Sequence, residues 1–160
     1  MTGRRPRLSL SVQYAARGDD LPARVLLRRW ARAALAHDAA ITVRFVDEAE
    51  GRALNRSYRH RDHATNVLAF VYHDVHGAHG VDGDIVLCAP VMRREATEQG
   101  KSMAAHCAHL FVHGLLHLQG YDHEQAPGAA RMEAREVVIL AGLGFPDPYA
   151  ARTPARRIPS

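Results

Sequence analysis

The sequence predicts a single α+β domain in which a small mixed sheet of about four strands packs against about five helices. Alternating apolar and polar residues indicate the strands, and apolar residues spaced three and four apart indicate the helices. The 160 residues suffice for one domain with a hydrophobic core, and no repeat or linker divides them. Within this domain, 1–160, we expect residues 1–7 and 150–160 to be flexible.

The strands and the loop between the last two follow from local patterns. Residues 73–83 contain three glycines and are predicted to be a loop. The predicted strands are 8–14, 41–46, 66–72 and 84–88.

The helices are bounded by recognisable start and stop signals. Asp47 and Ser102 are predicted N-caps, and Gly100 and Gly120 are predicted to end helices. We expect the charged residues of the last helix to lie on its outer face. These residues are Arg131, Glu133, Arg135 and Glu136. The predicted helices are 21–37, 47–58, 90–99, 103–119 and 127–141.

The stretch HGLLHLQGYDH, residues 113–123, is the strongest chemical signal in the chain. His113 and His117 lie one helical turn apart, so both imidazoles can reach one ion. Gly120 lets the chain turn, and His123 can return as a third ligand. Three neutral imidazoles suit Zn²⁺ and leave a position open, as in catalytic zinc sites. His109, one turn before His113, is left open as a ligand or as a neighbour that supports the ligands.

Histidine binds zinc only in its neutral form. We therefore predict that metal affinity falls as the pH drops below about 6. Metal content measured on the purified protein across that range tests this. Unchanged content at about pH 5 would count against a three-histidine site.

Two other groups of possible ligands are less convincing. His73, His76 and His79 resemble a second cluster, but their glycine-rich loop offers no scaffold, so we expect a solvated loop. Cys88 and Cys107 form no CxxC pair and are distant from the histidine run in sequence. We expect buried thiols rather than a disulfide or metal ligands.

Charge and composition permit an anionic partner without specifying one. The net charge is +4, and Lys101 is the only lysine among 21 basic residues. The arginine bias is suggestive of phosphate binding, but it more often reflects a GC-rich genome. No apolar run approaches the roughly 18 residues of a membrane span, and no apolar segment follows the N-terminal charges as in a secretory signal. We therefore expect a cytoplasmic protein.

A zinc site with an open position favours hydrolysis or transfer at phosphorus. Zinc peptidases commonly place Glu directly after the first His, as general base, whereas this chain has Gly114. A peptidase of that mechanism is therefore disfavoured. Arg59 and Arg61, in a polar stretch before a strand, are candidates to meet a phosphodiester.

Several segments in order resemble the YbeY family of bacterial endoribonucleases and rRNA maturation factors. Residues 113–123 fit the family pattern H-G-x-L-H-L-x-G-Y-D-H without a mismatch. The other similar segments are LNRSYRHRDHATNVLAF at 54–70, GDIVLC at 83–88, EATEQG at 95–100 and GFPDPY at 144–149.

The resemblance implies a single α+β domain with one zinc ion held by His113, His117 and His123. It implies cleavage of single-stranded RNA, maturation of the 16S rRNA 3′ end, and ribosome quality control with the small ribosomal subunit. It also makes Arg59 functionally important, while Arg61 remains an RNA-binding candidate from its place in the polar stretch. Many members read T-D-V-L-S-F where residues 65–70 read TNVLAF, so Asn66 and Ala69 receive no acid or base role.

Two alternatives remain open. In the first, the protein is a non-catalytic ribosome-assembly factor with a structural zinc, which the lack of an obvious general base favours slightly. In the second, it is a metal hydrolase of another substrate such as a peptide, which Gly114 disfavours. The nucleophile also stays open between an activated water and the RNA 2′-hydroxyl.

Overall fold

The computed structural model describes residues 5–72, 80–121 and 125–150. It confirms the predicted α+β class, with a four-stranded mixed sheet and five helices. His123 and the cluster of His73, His76 and His79 lie outside the described residues. In chain order the elements are β1 (Leu8–Tyr14), α1 (Arg24–Ala34), β2 (Asp38–Val46), α2 (Glu48–Arg59), β3 (Val67–Val71), β4 (Gly80–Cys88), α3 (Ala89–Gln99), α4 (Met103–Leu118) and α5 (Ala126–Gly142).

The sheet has the strand order β1-β2-β4-β3. Strands β1, β2 and β4 run parallel, and β3 pairs antiparallel with β4 at one edge. Parallel strands need crossover connections. Helix α1 connects β1 to β2, whereas α2 and β3 lie between β2 and β4 in the chain. This topology leaves β3 as an edge strand beside α2.

Strand β4 begins earlier than the sequence predicted. Residues 80–83 were expected to belong to a loop, but Gly80–Cys88 pairs along its whole length with Asp38–Val46. The prediction was wrong because the parallel ladder supplies hydrogen bonds to a segment whose glycines disfavour a strand locally.

Helix α4 lies at the centre of the main hydrophobic core. Phe111, Val112 and Leu115 are completely buried in it, together with side chains from α1, α5 and the sheet. A smaller cluster on the opposite face of the sheet joins Leu68 and Val86 to residues of α2 and α3. A helix buried on most of its circumference gives rigid positions to the polar side chains it carries.

The predicted helix signals hold in most places. Asp47 and Ser102 accept hydrogen bonds as N-caps, and Gly100 ends α3 in the left-handed conformation. Helix α1, however, begins at Arg24 rather than residue 21, and its N-cap residue, Ala23, makes no capping hydrogen bond through its side chain. Across the described part of the chain, no helix is long and apolar enough to cross a membrane.

Candidate functional site

A cleft of about 430 Å³ lies at the β3 edge of the sheet. It brings together four of the five predicted site residues, namely Arg59, Arg61, His113 and His117. The fifth, His123, lies outside the described residues. The remaining lining residues are Asn55, His63, Thr65, Asn66, Val67, Leu68, Ala69 and Gly114.

The end of α4 positions His117 and turns the chain as predicted. Gly120 has a φ of +100°, its N–H donates to the His117 carbonyl, and the Tyr121 N–H donates to the Leu116 carbonyl. This pair of bonds is a Schellman motif, which favours glycine. The Gln119 amide donates to the Ala34 carbonyl at 2.8 Å and so ties this end of α4 to α1.

A buried carboxylate, Glu136 of α5, organises the histidines of α4. Its side chain is completely buried. The Nδ1–H of His113 donates to Oε2 at 2.6 Å, and the Nε2–H of His109 donates to Oε1 at 3.0 Å. The Tyr149 hydroxyl also donates to Oε1. Glu136 therefore accepts three hydrogen bonds and holds His109 and His113 together.

Electrostatics keep Glu136 ionised. Burial raises its pKa, but the hydrogen bonds from His109, His113 and Tyr149 outweigh burial and lower the pKa to about 2. An ionised acceptor fixes the proton of His113 on Nδ1, so Nε2 carries the lone pair that a metal needs. A carboxylate behind a ligating histidine is the usual support in zinc sites. The imidazole nitrogens that His113 and His117 bring to the cleft therefore fit a zinc ion.

The position of Glu136 corrects the prediction that it lies on the outer face of α5. A periodic signal for burial was present in the sequence, because Glu136 shares a helix face with Met132, Ile139 and Leu140, all buried. The prediction assigned every charged residue to solvent. It was wrong here because three donors from α4 and the C-terminal segment satisfy the buried carboxylate.

The contacts of His109 favour the supporting role over the ligand role, the two roles that the sequence left open. Its Nε2 is engaged by Glu136 and lies 3.1 Å from the Tyr149 hydroxyl. It is not among the residues that line the cleft. Within the described ranges, no three His, Cys, Asp or Glu side chains come together as a metal site, which leaves the role of His123 a prediction.

Gly114 lets α4 pack closely on the sheet. A Cβ at this position would lie 3.2 Å from Cδ1 of Ile85 in β4. That separation leaves little room for a larger side chain. A glutamate directly after His113, as zinc peptidases have, would therefore disturb the contact between helix and sheet.

The two arginines reach the cleft from the end of α2. Arg59 is the last residue of the helix, and His60 ends it in the left-handed conformation with a φ of 59°. Nη2 of Arg59 donates to the Ala69 carbonyl on β3 at 3.1 Å. Arg61 follows in the loop and is exposed. Both guanidinium groups are thus available to an anionic ligand near His113 and His117.

A second polar network orients Asn66 in the cleft wall. Its Nδ2 donates to the Glu95 carboxylate at 3.0 Å, and Nε2 of the buried His106 donates to the same carboxylate at 2.8 Å. Burial lowers the pKa of His106, although the hydrogen bond to Glu95 opposes this shift. His106 is therefore neutral near pH 7. No local pattern in the sequence indicates this network, because Asn66 and His106 are 29 and 11 residues from Glu95.

His63 and the two cysteines lie outside this network. His63 lines the cleft and was not singled out from the sequence, where it is one of several histidines in a polar loop. Cys88 and Cys107 are free and buried, as predicted. Burial raises the pKa of Cys107 to about 12, so the thiol stays protonated.

Fold and site together define an α+β protein with a cleft lined by arginine and histidine at a sheet edge. The family model described as Endoribonuclease YbeY matches residues 16–144, and the chain belongs to this family. The Endoribonuclease YbeY of Nitrosospira multiformis is 54% identical over 166 residues, covering 93% of this chain and 88% of that protein. That of Thiobacillus denitrificans is 56% identical over 144 residues, covering 90% and 97%.

A solved structure supports the fold. The solution structure of TM1509 from Thermotoga maritima aligns with a TM-score of 0.51 and 20% sequence identity. The alignment covers 89% of this chain and 95% of that one. At this identity the likeness concerns the fold alone.

Proposed function

We propose that this protein is a zinc-dependent endoribonuclease that cleaves single-stranded RNA. Its membership of the Endoribonuclease YbeY family supports the reaction class. The observation that carries the zinc requirement is the hydrogen bond of 2.6 Å from His113 to the buried Glu136, in a cleft shared with His117 and Arg59.

Each predicted residue has a role in this proposal. His113 and His117 would hold one zinc ion with His123 as third ligand, and Glu136 would fix the tautomer of His113. When bound, zinc supplies Lewis acidity and lowers the pKa of a coordinated water. Arg59 would bind the scissile phosphate and stabilise charge that develops on it. Arg61 would bind the adjacent backbone.

The proposed substrate is the 3′ end of the 16S rRNA precursor, with a further role in ribosome quality control. The partners would be the small ribosomal subunit and its proteins, in the cytoplasm. The net charge of +4 and the exposed Arg59 and Arg61 are compatible with an RNA partner.

The test is cleavage of a single-stranded fragment from the 16S rRNA 3′ end, with bound metal quantified in each preparation. We expect the zinc-loaded protein to cut the fragment and to leave the same sequence intact in a duplex. The His117→Ala variant should hold less zinc and should not cut. Equal cutting by native protein and variant would identify a contaminating nuclease.

The alternative is a ribosome-assembly factor with a structural zinc. One feature of the cleft favours it. The described residues that line the cleft include no carboxylate side chain that could act as general base. Native protein that holds one zinc and binds pre-ribosomal particles, but cuts no RNA alone or on those particles, would support this alternative.

A further inference from the structure

We infer that Tyr58, Phe70 and Tyr72 form a stacking surface for the unpaired bases of single-stranded RNA beside the cleft. We call these three residues the aromatic patch. The inference rests on the proposed function and adds to it a binding site for nucleobases, chemically distinct from the arginines that would hold phosphates.

The geometry of the patch follows from α2 and the edge strand β3. The rings of Tyr58 and Phe70 are 5.1 Å apart between centroids, with an angle of 58° between their planes. Tyr72 follows Phe70 by two residues, so both side chains lie on the same face of the extended chain. The Tyr72 hydroxyl donates to the Asp84 carboxylate on β4, which holds that ring in place.

Two residues of the patch are exposed, whereas Phe70 is partly buried against the smaller core cluster. Tyr58 is 64% exposed and Tyr72 is 48% exposed, whereas Trp30, Phe45 and Phe111 belong to the core. Neighbouring large aromatic surfaces in contact with water are costly and commonly mark interaction sites. Packing in the core accounts for Phe70 but not for the exposed rings of Tyr58 and Tyr72 beside it.

Arg59 makes the patch continuous with the cleft. Its Cζ lies 5.7 Å from the centroid of the Phe70 ring, while the same side chain lines the cleft with His113. A phosphate bound by Arg59 would place the next nucleotide over Tyr58 and Phe70. Stacking of bases on aromatic rings beside arginine is how proteins commonly bind single strands.

The charges around the patch favour bases over phosphates. Arg59 lies on the side of the cleft, and the Asp84 carboxylate lies beside Tyr72. A backbone phosphate would be repelled by Asp84, whereas a neutral base would not. Because bases in a duplex are stacked on each other, only unpaired bases can lie on these rings. The patch therefore accounts for selection of single strands.

The test measures binding of zinc-loaded protein to two fluorescent oligomers of ten nucleotides by anisotropy at low temperature. One oligomer is oligoadenylate, and the other is an abasic ribose-phosphate chain of equal charge. A gel confirms that both stay intact during the measurement.

We expect Tyr58→Ala to bind oligoadenylate about 5-fold to 160-fold more weakly, the range that loss of one stacked base gives. It should bind the abasic chain as the native protein does. Tyr58→Phe should retain binding to oligoadenylate. Tyr58→Leu, which keeps apolar volume against Phe70, should lose binding as the alanine variant does. Val138→Ala, at another exposed apolar position, is the matched control and should bind as native does.

Some outcomes would overturn the inference. If Tyr58→Ala binds both oligomers as the native protein does, while the native protein cleaves RNA, the patch does not bind bases and the proposed function stands. A surface that docks a ribosomal protein instead would give this result. If Tyr58→Ala weakens binding of both oligomers equally, Tyr58 affects contacts with the ribose-phosphate backbone of the RNA and not with its bases. If the native protein neither binds nor cuts RNA, both the inference and the proposed function fail.

Discussion

Replacing Arg59 by alanine should lower kcat for RNA cleavage by about 100-fold to 1000-fold, the usual cost of removing one donor that stabilises charge in a transition state. Stability should change little, because the side chain is exposed and makes one hydrogen bond, to the Ala69 carbonyl. Single-turnover kinetics with saturating protein separate this effect from weakened RNA binding. Arg59→Lys should restore only part of the rate, since an ammonium cannot form the planar two-point contact with phosphate.

Arg56→Ala is the matched control for Arg59. Arg56 lies three residues earlier on α2, its side chain is 63% exposed, and it pairs with Asp62 at 3.5 Å rather than lining the cleft. The Arg56→Ala substitution therefore removes the same charge from the same helix as Arg59→Ala does. If both variants lose cleavage equally, the effect is general attraction of RNA, and Arg59 has no specific role at the phosphate.

Replacing Glu136 by glutamine should weaken zinc binding by about 10-fold to 100-fold, the usual cost of losing the partner behind a ligating histidine. A neutral amide has one acceptor oxygen in place of two, so His113, His109 and Tyr149 can no longer all donate. His113 would then be free to carry its proton on Nε2, the nitrogen that the metal needs. Competition with a chromophoric chelator near pH 7.5 measures the zinc affinity.

The same variant should be less stable by about 1–3 kcal/mol, because a buried donor is left without an acceptor. Chemical denaturation of the metal-free protein measures this separately from zinc affinity. Glu98→Gln, with the same loss of charge at an exposed position of α3, is the control. Zinc affinity that matches the control would show that Glu136 has only a structural role.

Much of the fold could be predicted because its signals are local. Strand β1 occupies the predicted residues. The helices that follow Asp47 and Ser102 begin as predicted, and those that precede Gly100 and Gly120 end as predicted. Caps and turns depend on a few neighbouring residues, so their chemistry can be read from the chain. Strand β4 extends further than predicted because its ladder partner, β2, is about 40 residues away.

The fold class, the placement of His113 and His117 one helical turn apart, and the resemblance to an endoribonuclease family could all be predicted from the residues alone. Only the tertiary structure revealed what supports and surrounds these histidines. Glu136 behind His113, Glu95 between Asn66 and His106, and Arg59 between the cleft and Phe70 join residues from different elements. Helical spacing fixes which residues share a face, but the partner of that face depends on how α2, α4 and α5 pack around the sheet.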